Sequence, residues 1–219
     1  MPIWLVVRRF PFSAVLSCLA ILTTAGCNDL SPSPSTVSIA AALSKARRSP
    51  ESSAGTRIRG VVSYADLKTR DIVVEDSTGG VRLAMGNQAR PLVGDLVDAT
   101  GFLQVTGEAG VMIEPAVAIV GKSKRPVPIP LSLEKLAGHT DQTVILRGVV
   151  ESVEMEKSGI QSLVLRSNGH RAVLSADLDL MDPEGLIDAE IEAVGVLARG
   201  PSATRGPLIW SRDPHDVNV

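Results

Sequence analysis

Arg57-Ile58-Arg59-Gly60-Val61-Val62 is answered later in the chain by Val144-Ile145-Leu146-Arg147-Gly148-Val149-Val150. Both stretches carry the period-two patterning of a strand, and both place a glycine mid-run, where the missing side chain permits a sharp bend. A strand signature that returns in this way indicates two copies of one unit. The neighbourhoods of the two stretches agree as well.

Before the first copy, Ser38 to Arg47 is rich in helix formers, with Lys45 and Arg47 placed late, where they suit the negative end of a helix dipole. Ser49-Pro50 ends it. After the bent strand come Asp71–Asp76 and Val81–Met85, joined by Ser77-Thr78-Gly79-Gly80, a hairpin signal. Pro91 to Asp95 turns the chain into Leu96–Gly101, and Val111–Val120 supplies a fifth strand. Five short strands with one sharply bent predict a small closed barrel.

The second unit repeats the order. Lys122 to Pro130 is a basic, proline-rich connector, and Ser132 opens a short helix over Leu133–Leu136. Val144–Val150 follows, then Ser162–Arg166 and Arg171–Ala176 around an Asn168-Gly169 turn, then Ile187–Gly195 and a strand beginning at Pro207. The expected fold is all-β with short helices: two tandem five-stranded barrels, residues 37–121 and 131–219, joined by residues 122–130.

Composition is that of a globular chain, 44% hydrophobic and 21% charged, but only 3% aromatic. The 22 basic side chains are outnumbered by 24 acidic ones, and loss of the leader with Arg8 and Arg9 would leave the remainder more acidic still. That balance disfavours polyanions as partners. Cys18 and Cys27 are the only cysteines, so past the leader no internal disulfide or thiolate zinc site can form.

Residues 1–26 read as a secretory signal: Arg8-Arg9, then an apolar run from Phe10 to Ala25, shorter than the roughly 20 residues a spanning helix needs. Leu22-Thr23-Thr24-Ala25-Gly26-Cys27 resembles the lipobox of bacterial lipoproteins, in which the cysteine is acylated and becomes the new N-terminus; Thr24 stands where that family usually has leucine. The resemblance implies a lipid on Cys27. Residues 27–36, with two Ser-Pro pairs, read as a tether.

Arg-Gly-Val-Val, then Val73-Val74-Glu75-Asp76-Ser77-Thr78-Gly79-Gly80-Val81, then Val93-Gly94-Asp95-Leu96-Val97-Asp98-Ala99-Thr100-Gly101, resembles an OB-type module. Tandem pairs of this kind are similar to the extracytoplasmic region of certain bacterial sensor proteins, some of which continue into histidine kinase domains. The resemblance spans Thr56 to about Val217 and implies OB-like barrels. It rests on scaffold glycines and turns, so it does not carry a ligand.

OB barrels commonly bind on strands two and three. By alternation the outward residues there are Val73, Glu75, Arg82 and Ala84 in the first unit, and Val164, Arg166, Arg171 and Val173 in the second. None is aromatic, and stacking is worth roughly 1 to 3 kcal/mol per base in such grooves. Alternation puts Tyr64 on the core side with Ile58 and Val62, and Trp210 on one side with Leu208, which leaves Phe102 as the exposed aromatic candidate. Arg59 and Arg147 flank the bending glycines at equivalent positions, with Arg82 expected near Arg59 on an adjoining strand; these are the candidates for an anionic partner. Asp66 and Asp71 flank a turn and Glu75 and Asp76 point to opposite faces of a strand, as solvated hairpin ends do, while Asp177, Asp179, Asp182, Glu184 and Asp188 form an acidic loop without the spacing of a calcium loop. His139, His170 and His215 are dispersed, and no nucleophile elbow accompanies them. The expectation is therefore a non-enzymatic, lipid-anchored binding or scaffold module of the bacterial envelope, without cofactor or metal, facing an envelope protein or small ligand. The alternatives are the input region of a signalling system and an oligonucleotide or glycan binder.

Overall fold

Ser38 caps α1 (Ile39–Arg48), its hydroxyl accepting from the Ala41 amide. Ile39, Ala42, Leu43 and Ala46 recur at helical spacing and are buried, so α1 plugs the barrel that follows. This is a computed structural model, and it describes residues 35–49, 55–66, 69–156, 159–178, 183–198, 206–211, 213 and 216–219. The expected leader, the lipobox with Cys27 and most of the Ser-Pro tether lie outside those residues, as do Asp179, Asp182 and His215.

The first barrel is built from β1 (Thr56–Ala65), β2 (Ile72–Asp76), β3 (Gly79–Leu83), β4 (Asp95–Thr106) and β5 (Ala109–Lys122), closed in the order β1-β2-β3-β5-β4. All pairs are antiparallel except β3 with β5. The second barrel follows a short edge strand β6 (Ile129–Leu131) and a 3-10 turn, Leu133–Lys135. It comprises β7 (Thr143–Glu156), β8 (Gly159–Ser167), β9 (His170–Leu178), β10 (Glu190–Ala198) and β11 (Leu208–Ser211), with β12 (Val217–Asn218) added outside β10. Pairing of β10 with β7 closes it, and β9 with β11 is again parallel. Two closed five-stranded OB-like barrels in tandem are what the duplicated strand predicts.

The duplication holds residue by residue. Gly60 sits opposite Val97 and Gly148 opposite Ile191. A Cβ on Gly60 would stand 2.6 Å from the Glu75 carbonyl oxygen, and one on Gly148 3.2 Å from that of Arg166, which occupies the same register position. Both first strands then skip one residue against their neighbour, at Ser63 and at Glu151. On the fourth strands, Gly101 and Gly195 each lie under a carbonyl of the fifth, Ile113 and Trp210. Even the approach is repeated: Val37 bridges Ile58 in parallel, as Leu131 of β6 does Leu146. The unit thus begins with a parallel edge pairing and a helical plug, and Leu133 and Leu136 are buried in the second barrel as Ile39 and Leu43 are in the first.

Each barrel has its own core. Val62, Val74, Leu83, Val97 and Met112 fill one, and Val150, Leu165, Leu174, Ile191 and Ile209 the other. Strand lengths differ from the expectation most in β7, which runs on to Glu156, and in β4 and β5, which run on to Thr106 and from Ala109 as one long hairpin closed at Gly107, whose φ is +61°. Among the described residues no helix is long and apolar enough to cross a membrane.

Candidate functional site

The β2–β3 surface of the first barrel, expected to face solvent, is covered by the second barrel. Glu75 is 5% exposed, and its carboxylate accepts the Thr143 amide (2.9 Å) and the Thr143 hydroxyl (2.6 Å). Thr143 is the first residue of β7, so the opening of one barrel is tied to the second strand of the other. Gly79 and Gly80, read from sequence as turn residues, are the first two residues of β3, and the turn contracts to Ser77-Thr78. The reason Gly80 must lack a side chain is the neighbouring barrel: a Cβ there would be 1.6 Å from the Asp141 carbonyl oxygen.

Beside this contact, Arg82 extends to Asp141 (Nη2 to Oδ1, 3.3 Å) and lies over the Trp210 ring, 4.6 Å from its centroid. Trp210 in turn stacks on Tyr64, with centroids 5.0 Å apart and planes 18° from parallel. Tyr64 therefore leaves the core side that simple alternation predicts. The bulge at Ser63 shifts the phase, buries Ser63, and turns Tyr64 into the seam between barrels. Trp210 likewise points away from the core, while its neighbour Ile209 is fully buried.

The seam is poorly solvated, and its titrating groups record this. Burial pushes the Asp141 carboxyl up to about 6, with Arg82 pulling it down and Glu75 adding to the rise. Burial, reinforced by Asp66, pushes the Tyr64 hydroxyl up to about 12. Burial also raises Asp71, against the opposing charge of Arg82.

On the second barrel the corresponding surface is open. Register equates Glu75 with Arg166, Gly80 with Arg171 and Arg82 with Val173. Arg166 and Arg171 are exposed, and with Arg147, His170 and the Asn168-Gly169 turn they border a cleft of about 520 Å³, into which Glu151 and Glu190 also project. Asn168 and Gly169 have φ of +48° and +78°, the left-handed pair that a two-residue hairpin turn requires. Arg171 is held by both oxygens of Glu151, and Arg147 by Glu192 across the strand pair at 2.7 Å. Among the described residues Arg166 meets only Asp188, at 3.3 Å, with the two side chains 53% and 77% exposed.

The candidate residues are thus dispersed. Arg59 binds Asp98 through two nitrogens, 2.5 and 2.9 Å, with Arg57 on the same carboxylate, the cross-strand counterpart of Arg147 and Glu192. These arginines hold the Asp98 carboxyl well below the usual range. Arg82 lies across from Val73, toward the Tyr64 end of β1, two strands away rather than beside Arg59. Phe102 is 38% exposed on β4, opposite Ile113. The acidic residues around β2 have separate tasks: Asp76 accepts the Ile39 amide at the start of α1 (2.8 Å) and the Thr78 hydroxyl and amide, while Glu75 faces the seam. His139 contacts Gln142. No group of three or more metal-ligating side chains converges among the described residues.

No family model matches this sequence, nor does any curated protein sequence. Among solved structures, the chain is similar to a HINa domain in complex with a DNA duplex (10% identity, 75% of this chain and 96% of that one, TM-score 0.37). It is also similar to a murine DNA-binding protein bound with double-stranded DNA (10%, 74% and 96%, 0.36) and, over less of its length, to a putative aspartyl-tRNA synthetase from Leishmania major (12%, 45% and 22%, 0.30). At these scores the likeness has no bearing on what the chain binds. The barrel assignment rests on its own strand order.

Proposed function

We propose that the protein is a non-enzymatic binding or scaffold module of the bacterial envelope, held to a membrane by a lipid on Cys27 and presenting the second barrel to a partner. One observation carries the binding reading: of two equivalent strand-two-and-three surfaces, the first is consumed in joining the barrels and the second is left uncovered, with a cleft beside it. A joined pair with one occupied and one free surface of the same type suits a module that presents its second barrel to a partner. The envelope location rests on the leader, the Ala25-Gly26-Cys27 junction and the Ser-Pro tether that follows. Acyl chains contribute roughly 0.8 kcal/mol per buried methylene, so a multiply acylated terminus would hold without a spanning helix.

A photo-crosslinking residue at Asn168, on the rim of the open cleft, tests the binding reading in intact cells. Discrete crosslinks to one envelope protein are expected from Asn168 and not from the equivalent turn residue Ser77 on the covered barrel. Equal or absent crosslinking at both positions refutes it. Fractionation of a Cys27→Ser variant tests the anchor separately, since continued sedimentation with membranes would show that lipid is not what holds the chain.

A further inference from the structure

The seam between the barrels is itself a picture of how this surface receives a polypeptide. On the first barrel the visitor is the turn that leads into β7, with Asp141 at a φ of +61°; the Thr143 amide and hydroxyl are taken by the Glu75 carboxylate while the Asp141 carbonyl rests against Gly80. At the same two register positions the second barrel carries Arg166 and Arg171. The charge at the anchor is inverted, from an acceptor of N–H groups to a donor of them, and the bare backbone at Gly80 is replaced by a long side chain. We infer that the open surface of the second barrel docks an acidic polypeptide segment, with Arg166 as the anchor; this rests on the binding reading above and specifies its partner.

Three features select the chemistry. Arg171 stands where a visiting backbone would otherwise lie, so the visitor is kept at a distance and must reach Arg166 with a side chain, which favours glutamate over the shorter aspartate. Arg171 and Arg147 are already matched to Glu151 and Glu192, whereas among the described residues Arg166 has only the exposed, longer contact with Asp188, a pair of little strength, and so is the cation open to exchange. Among the described residues no aromatic ring borders the cleft, so a nucleic-acid strand would find no stacking platform there.

The test is fluorescence polarisation of a labelled oligo-glutamate peptide against the full chain in detergent at low salt. Saturable binding that weakens with added salt is expected. Arg166→Glu should weaken it by about tenfold or more, with Arg166→Lys between, because a lysine retains charge but not the planar fork. Arg125→Glu makes the same change in net charge on the exposed connector and should alter binding by less than about twofold. The inference is overturned by absence of saturable binding, by equal losses in Arg166→Glu and Arg125→Glu, or by a short single-stranded oligonucleotide that binds more tightly than the peptide. Crosslinking from Asn168 without peptide binding would remove the acidic partner and leave the binding reading standing. Absence of both removes the two together.

Discussion

Gly79 and Gly80 are neighbours in one strand, and adding a single methyl to each should have opposite consequences. A Cβ on Gly79 would meet only the Ile39 Cγ2, at 3.7 Å, an ordinary contact with the plug helix. A Cβ on Gly80 would lie 1.6 Å from a backbone oxygen, so Asp141 would have to retreat by roughly 1 Å or more before a tolerable contact returned. Asp141 is two residues from Thr143, whose 2.6 and 2.9 Å bonds to Glu75 do not survive such a displacement. Hydrogen bonds to an ionised group contribute roughly 1.5 to 3 kcal/mol each, and the two share one carboxylate, so Gly80→Ala should cost about 3 kcal/mol of coupling between barrels. Alanine is favoured over glycine in a strand by roughly 0.5 to 1 kcal/mol, so the local effect runs the other way and cannot mimic that loss. Trp210 is one of two tryptophans in the chain, the other being Trp4, and in a Trp4→Phe background its emission reports the seam directly. Urea titration should show the Trp210 signal of Gly80→Ala changing well before the β-sheet circular dichroism is lost, while Gly79→Ala follows the parent. Adding Thr143→Val to Gly80→Ala should cost little further, because its bond is already broken. Coincident transitions in Gly80→Ala, with an unchanged Trp210 spectrum, would refute the reasoning.

Other outcomes follow from the same contacts. Because the folded Asp141 carboxyl titrates near 6 and an unfolded one near 4, the folded chain holds the extra proton between those values. Stability from this group is therefore present at acid pH and falls as pH rises through about 6, and Asp141→Asn should flatten that slope in denaturation midpoints. Asp98 has the opposite sign: its depressed carboxyl supports the fold above about pH 4 and loses that support on acidification, so Asp98→Asn should cost on the order of 1 kcal/mol at neutral pH and little in acid. Gly169→Ala forces a side chain onto a φ of +78° and should lower stability by about 1 kcal/mol or more, measured by thermal denaturation.

The strands, the bending glycines and the Asn168-Gly169 turn were legible because each leaves a local mark: period-two apolar residues, a side-chain-free position, a pair that accepts positive φ. The helix before β1 was legible as well, through its helix formers and late basic residues, though not that it plugs the barrel. What could not be read was what lay against the outward faces. Alternation assigns Glu75 and Arg82 to one side of β2 and β3 but does not reveal that another barrel sits there. A one-residue bulge at Ser63 leaves no compositional trace, yet it moves Tyr64 from the expected core to the seam. Gly79-Gly80 imitated a turn because glycine needed for a turn and glycine needed for close approach look alike in sequence. The His-Thr-Asp-Gln-Thr stretch from His139 to Thr143, which supplies Asp141 and Thr143 to the seam, has the composition of an ordinary polar loop.

A joint between unlike ends of units that share one fold is, in principle, an invitation to polymerise, since whatever seats the second barrel on the first could seat a third on the second. Here the two residues that make the first barrel a socket, a carboxylate and a glycine, are both arginine on the second. A foreign barrel arriving with its own Thr143 and Asp141 would meet two guanidinium groups in the space its backbone needs. Those substitutions act as a stopper on the fibre, and restoring glutamate and glycine at 166 and 171 would reopen the free end to growth.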